Sequence, residues 1–171
     1  MTSELMLAIF GSLAESESLS ISKNLRMMNY KRMETGSYVA GSAPFGYQLM
    51  EKQIYIFEKE AKVVRRIFTD YLSGCSINEI SRELTKEGIP KKDGKSKWNY
   101  ISVHYVLTNE KYTGNTMFQK TYKTDVLPFE KKINKGEKER FYATNTHDAI
   151  IEQHIFDAVQ AALKDKAGRF G

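Results

Sequence analysis

The sequence predicts an α+β fold, mostly helical, in which a long N-terminal helix precedes a helix-turn-helix or winged-helix-like domain with a small β-sheet. Three observations predict it. Residues 2–35 contain no proline and one glycine, Gly11, while apolar residues recur at helical spacing. Three shorter helical patterns follow between residues 59 and 108 and a fourth after 152, and strand-like runs lie between 112 and 145. At 171 residues and 41% hydrophobic content, the chain can support one ordinary core, or one modest core plus an appendage.

The first segment, 1–35, pairs Leu5 with Ile9, Met6 with Phe10 and Leu13, and Ile21 with Leu25 and Met28. As one helix it would extend roughly 50 Å at 1.5 Å per residue, longer than a compact domain of this size can cover. Part of it is therefore expected to bury its apolar side against another chain or domain. Its first half is acidic and apolar. Its second half carries Lys23, Arg26, Lys31 and Arg32, with Glu34 as the only acid. A coiled-coil dimerisation helix with a solvated end is the plainer reading of the same pattern.

Residues 36–46, GSYVAGSAPFG, break that pattern with three glycines and Pro44, which also disfavours helix at Ala43, so an extended linker is expected. The third segment, 47–171, opens with Tyr47–Phe57, which alternates loosely around Glu51–Gln53 and suits a short hairpin. Lys59–Ser73 then places Val63, Val64, Ile67, Phe68, Tyr71 and Leu72 on one apolar stripe, ended by Gly74. Ser76 and Glu79 form an S-x-x-E capping box, whose side chains satisfy free backbone N–H groups at a helix start. Ile77, Ile80 and Leu84 supply the buried face of that helix, and Gly88 and Pro90 stop it.

Lys91–Lys97 is a polar loop with four lysines against one aspartate. After Trp98, Asn99 is a good N-cap for a third helix through Thr108, with Val103, Val106 and Leu107 inward. Ile101, His104, Tyr105 and Thr108 then point outward, an unusual composition for a merely solvated face. Tyr112–Val126 and Glu139–Asn145 read as strands separated by the charged stretch Glu130–Lys138, a wing or extended hairpin. A last helix over Glu152–Lys166 repeats Ile155, Phe156, Val159 and Leu163 as a core stripe.

Several classes are disfavoured. The lone Cys75 cannot form an internal disulfide or a cysteine-rich zinc site, so a reducing, cytoplasmic setting is expected, with Cys75 buried or half-buried between two helices. The apolar run Met6–Leu13 follows Glu4, lacks a cleavage site and is too short to span a bilayer, which argues against a membrane partner. None of His104, His147 and His154 has an arginine three residues later, as a tyrosine recombinase would want. Glu15 with Glu17, and Glu137 with Glu139, lack a His or Asp partner. No catalytic residue, metal, cofactor or small-molecule substrate is expected.

A net charge of +5 permits a nucleic-acid partner without requiring one. Two helices followed by a third with a basic approach is how helix-turn-helix domains present a recognition helix, although residues 88–98 exceed the usual three- or four-residue turn. On this reading Lys91, Lys92, Lys95 and Lys97, with Lys111, Lys120 and Lys123 in the wing, contact phosphates. Tyr100, Ile101, Ser102 and Tyr105 read bases, with His104 and Thr108 on the same face. Trp98 is read as a core anchor. A winged-helix transcription regulator with a helical dimerisation arm fits the same elements, as does a protein-interaction domain whose lysine loop only solubilises it.

GSAPFGY (Gly41–Tyr47) resembles the G-x-x-P-F-G-Y signature that opens the recombinase domain of large serine recombinases. VVRRIFTDYLSGCSINEISRELTKEGIP (Val63–Pro90), Trp98, VLTNEKYTGN (Val106–Asn115) and THDAIIEQHIFDAVQ (Thr146–Gln160) are similar to successive later segments of that domain, in order. The resemblance implies a DNA-binding domain for residues 47–171, reading double-stranded attachment sites for integration, excision or transposition of a mobile element. It implies that residues 1–35 are the long helix leaving a catalytic domain, packing dimer and tetramer contacts with its first part and lying over the minor groove with its basic second part. The linker, including Ser42, would continue along the duplex. The family's nucleophilic serine belongs to a domain before this helix, and its zinc ribbon and coiled coil follow the recombinase domain. The expectation is accordingly a fragment that selects a site without cleaving it.

Overall fold

The uninterrupted periodicity of the first segment becomes a single helix, α1, Thr2–Glu34. Gly36, at φ +73°, and Thr35, whose hydroxyl donates to the Lys31 carbonyl at 3.0 Å, end it. No α1 residue is buried, and Leu5, Met6, Leu7, Ile9 and Phe10 are all exposed. The computed structural model describes residues 2–39, 41–125 and 127–169. The chain divides into two compact units between Tyr38 and Val39.

In the second unit, β1 (Tyr47–Met50) and β2 (Gln53–Ile56) form the expected hairpin, in register Tyr47 to Ile56. Glu51 and Lys52 both take positive φ, the two-residue turn whose twist matches paired strands. Helix α2 (Glu58–Leu72) buries Ala61, Val64, Ile67, Phe68 and Tyr71. The capping box opens α3 (Ile77–Lys86) as expected: the Glu79 amide donates to the Ser76 hydroxyl at 3.2 Å, and the Ser76 amide to the Glu79 carboxylate at 2.7 Å. Helix α4 (Tyr100–Thr108) packs against α2, α3 and α5 (Gln153–Arg169), and α2 also packs on α3 and α5. Between these helices lie Phe68, Leu84, Val103, Leu107, Phe156 and Val159.

The β elements differ from the sequence expectation in detail. Tyr112 does not begin a strand: Asn109 caps a 3-10 turn over Glu110–Thr113 through the Lys111 amide at 3.2 Å, which seats Tyr112 fully buried in the core. The strands beyond are short: β3 (Thr116–Phe118), β4 (Thr121–Lys123), β5 (Lys131–Ile133) and β6 (Phe141–Ala143). β3 pairs with β6 and β4 with β5, all antiparallel, so the small sheet is a set of two-stranded ribbons. β5 lies inside the charged stretch expected to separate strands. All three of its residues are exposed, so backbone pairing, not burial, holds it. Val126, the expected end of the first strand, lies outside the described residues. Cys75 is exposed, contrary to expectation: it follows Gly74, at φ +104°, in the connection between α2 and α3 and not on a packed helix face.

Behind the ribbons, His147 packs edge-on to Tyr47 at 4.9 Å, and its Nε2 lies 2.6 Å from the Lys111 carbonyl, which fixes the proton on that nitrogen. Burial holds its imidazole below the ordinary histidine range. The folded state thus binds fewer protons at this site than the unfolded chain. Its contribution is complete above the unfolded value of about 6.5 and is lost as pH falls through and below it. Urea midpoints are expected to drop between pH about 7.5 and about 5.5, and His147→Gln to flatten that drop; an equally steep drop in the variant would assign it to other groups.

Among the described residues no helix is long and apolar enough to cross a membrane, and no cluster of three His, Cys, Asp or Glu side chains could hold a metal ion.

Candidate nucleic-acid interface

The start of α4 is fixed by a reciprocal cap. Asn99 accepts from the Ser102 amide at 2.9 Å, while the Ser102 hydroxyl accepts from the Asn99 amide at 3.0 Å and donates to the Asn99 carbonyl at 2.8 Å. One helical turn of outward surface follows. Ile101 is 76% exposed, Tyr105 58% and Tyr100 50%, while His104 and Thr108 are half-buried. The His104 ring stacks on Tyr100 at 5.7 Å, and the Thr108 hydroxyl donates to the His104 carbonyl at 2.8 Å.

The loop before α4 is ordered despite its length. Its ends are tied by Trp98, whose indole N–H donates to the Ile89 carbonyl at 2.9 Å and whose amide donates to the Thr85 hydroxyl at 2.9 Å. Within it, the Lys91 amide donates to the Lys95 carbonyl and the Gly94 amide to the Lys91 carbonyl, both at 2.9 Å, closing a tight turn. The loop lysines therefore have separate fates. Lys95 and Lys97 are exposed, with no acidic partner among the described residues. Lys91 lies 3.9 Å from Asp93. Lys92 turns back: its ammonium donates to the Ala43 carbonyl at 2.7 Å and the Tyr47 carbonyl at 2.5 Å.

Those carbonyls belong to the Pro-Phe-Gly segment, which packs into the second unit. Phe45 meets Trp98 edge-on at 5.3 Å, its carbonyl accepts from the Tyr112 hydroxyl at 2.7 Å, and the Gly46 amide donates to Glu60 at 2.7 Å. Gly46 sits at φ +95°, where a Cβ would lie 3.0 Å from both Ile150 and Val64. Phe45, Trp98, Ile101, Tyr105 and Val106 give an open groove of about 390 Å³ an almost wholly apolar surface, and Lys91, Lys92, Asp93, Asn99 and Ser102 complete its lining. Sequence reasoning passed over Phe45 as a wall of this face; the aromatic residue between proline and glycine was the available signal.

The remaining candidates lie elsewhere. Ser42 is exposed ahead of the packed segment, and Lys23, Arg26, Lys31 and Arg32 are exposed on α1. Lys111 lies in the 3-10 turn and not in the wing, half-buried with its ammonium pKa lowered by that burial, and Lys120 is paired with Glu110 at 2.5 Å. Lys123 is exposed.

Residues 58–166 match the family model described as Recombinase. The chain is 28% identical over 174 aligned residues to a protein of Bacillus subtilis (strain 168) named "Putative DNA recombinase", covering 94% of this chain and 34% of that one. It thus spans about a third of the length of that curated relative. Its fold resembles a crystal structure of an LSR–DNA complex, with TM-score 0.57 and 25% identity over 82% of this chain and 39% of the other. A structure associated with the sequence requirements of the Listeria innocua prophage attP site is similar in fold, with TM-score 0.58 and 24% identity over 82% of this chain and 51% of the other.

Proposed function

This chain belongs to the recombinase-domain family of large serine recombinases, and from that premise we propose that it is a module that selects attachment-site DNA for a longer recombinase. The single observation that carries the reading is α4: a capped helix with Tyr100, Ile101 and Tyr105 on its solvent side, beside the unpaired lysines Lys95 and Lys97. In this reading the α4 face enters the major groove of double-stranded DNA, and the two lysines contact phosphates. Within the fold, Ser102 holds the helix start and Lys92 holds the linker. The structural likeness to a recombinase–DNA complex supports the partner.

The basic half of α1, with Lys23, Arg26, Lys31 and Arg32, and the linker residue Ser42 add contacts along the duplex. The apolar residues Leu5, Ile9 and Leu13, all exposed, supply an association surface through which the parent protein assembles as a dimer or tetramer on DNA. Strand cleavage and rejoining by a serine nucleophile belong to that longer protein, integrating, excising or transposing a mobile element.

Binding to a pool of random duplexes, with enriched sequences re-tested over a salt series, tests the reading. One enriched sequence, bound with an affinity that falls steeply with salt, is the expected result. Absence of binding would return the domain to a protein-interaction role. Replacing Lys95 and Lys97 by alanine is expected to lower the salt slope by about 2, at about 0.9 per phosphate contact, and to weaken preferred and random DNA alike. An unchanged slope would remove the loop from the interface.

A further inference from the structure

Recognition helices commonly discriminate bases by paired hydrogen bonds: Arg or Lys on guanine, Asn or Gln on adenine. Helix α4, YISVHYVLT, contains none of these residues. The polar groups nearest its start are committed to the fold. The Ser102 hydroxyl spends its proton on the Asn99 carbonyl and one of its two lone pairs on the Asn99 amide, so it can offer a base only a single acceptor, and the Asn99 side-chain carbonyl already holds the Ser102 amide. Thr108 spends its proton on the His104 carbonyl. The hydroxyls of Tyr100 and Tyr105 and the His104 ring can make single hydrogen bonds, which discriminate less than paired ones.

The most exposed part of this face is instead apolar. Ile101 is 76% exposed, and Tyr105, one helical turn later, is 58% exposed. Both border the groove of about 390 Å³ walled by Phe45 and Trp98. In the major groove of unmodified DNA, the apolar group on a base edge is the C5-methyl of thymine. Residues four apart on a helix advance about 6 Å, close to two base-pair steps. Lys95 and Lys97, on the loop leading into the helix, supply the complementary charge for the flanking phosphates.

We propose that Ile101 and Tyr105 make this domain a reader of thymine methyl groups, taking them against the apolar groove beside α4. The inference rests on the DNA-binding reading above and adds the chemistry by which bases are told apart. It accounts for an exposed isoleucine on a helix otherwise built to be capped and packed, since burying Ile101 against a methyl removes apolar surface from water on both sides.

The test uses this chain and the sequence it enriches from random duplexes. That duplex is resynthesised with deoxyuridine replacing thymidine at one position at a time, which removes the methyl and leaves base pairing intact. One or two positions, within about two base steps of each other, are expected to lose about fourfold in affinity, the worth of one buried methyl. Ile101→Ala, at an exposed helical position that alanine favours, is expected to keep the circular dichroism spectrum and to bind thymidine and deoxyuridine forms equally at one of those positions. Its affinity for random duplexes should fall by less than its affinity for the enriched site. Tolerance of deoxyuridine throughout an enriched site, an enriched site without thymine, or an Ile101→Ala loss equal on all DNAs would overturn methyl reading and leave the DNA-binding assignment intact. Failure to enrich any sequence would overturn both methyl reading and site selection, and absence of binding the DNA partner itself.

Discussion

Truncating Tyr112 to alanine is expected to destabilise the second unit by about 4 kcal/mol, whereas Tyr112→Phe should cost about 1–2 kcal/mol. The difference follows from what the residue does. Its ring is fully buried, stacks on Tyr47 at 6.0 Å and meets Phe68 edge-on at 6.3 Å, so truncation opens a void between α2 and the hairpin. Its hydroxyl donates to the Phe45 carbonyl at 2.7 Å, and phenylalanine would leave that one acceptor without its partner. Burial raises the phenol pKa well above its ordinary value, so the group stays a neutral donor at any pH the protein meets. Urea unfolding of both variants checks the division. Equal losses would show that the Phe45 bond, not the void, carries the effect. Because the bond anchors the Pro-Phe-Gly segment, Tyr112→Phe should also loosen Phe45 against Trp98, read as increased tryptophan fluorescence quenching by acrylamide.

Elements whose signals are local were legible in the sequence. Ser76 with Glu79 announced α3 because both partners of the cap lie within one turn, and four of the six residues expected on the α2 stripe, Val64, Ile67, Phe68 and Tyr71, are buried, whereas Val63 is half-buried and Leu72, at the helix end, is exposed. Asn99 marked α4, whereas the reciprocal cap from Ser102 is visible only in the geometry, since serine at that position serves a cap or an interface equally well. The role of Lys92 had no local signal at all, since its acceptors lie 49 and 45 residues away. Strands of three residues carry too little alternation to place, and β5, exposed throughout, carries none. At Tyr112, a run of threonine and aromatic residues suggested strand, but the Asn109 cap turned the backbone first. On α1 the pattern gave the helix and its length. Leu5, Ile9 and Leu13 of that pattern are all exposed.

Gly114→Ala is expected to cost about 3 kcal/mol or more, and Gly88→Ala only about 1 kcal/mol, although both glycines occupy the left-handed region. Gly114 sits at φ +80° and Gly88 at φ +68°, so the backbone penalty for an L side chain is alike in the two. They differ in what a Cβ would meet. At Gly88 there is nothing within 4 Å, while at Gly114 the His147 carbonyl oxygen would lie 2.7 Å away. That oxygen belongs to main chain and cannot swing aside as a side chain can. The neighbouring Thr146 is held to the Gly114 carbonyl by its amide at 2.8 Å, and the Tyr112 carbonyl accepts from the Ile150 and Ile151 amides, both at 2.9 Å. Relieving the clash would therefore pull on the segment that seats Tyr47 and His147, and through them on the hairpin beneath the Pro-Phe-Gly linker. Denaturation midpoints of the two variants isolate the term. A Gly114→Ala loss no larger than that of Gly88→Ala would mean that residues 146–151 yield without resistance. A loss several times larger would identify this close approach as the point at which the ribbons, the 3-10 turn and α5 are locked into one register.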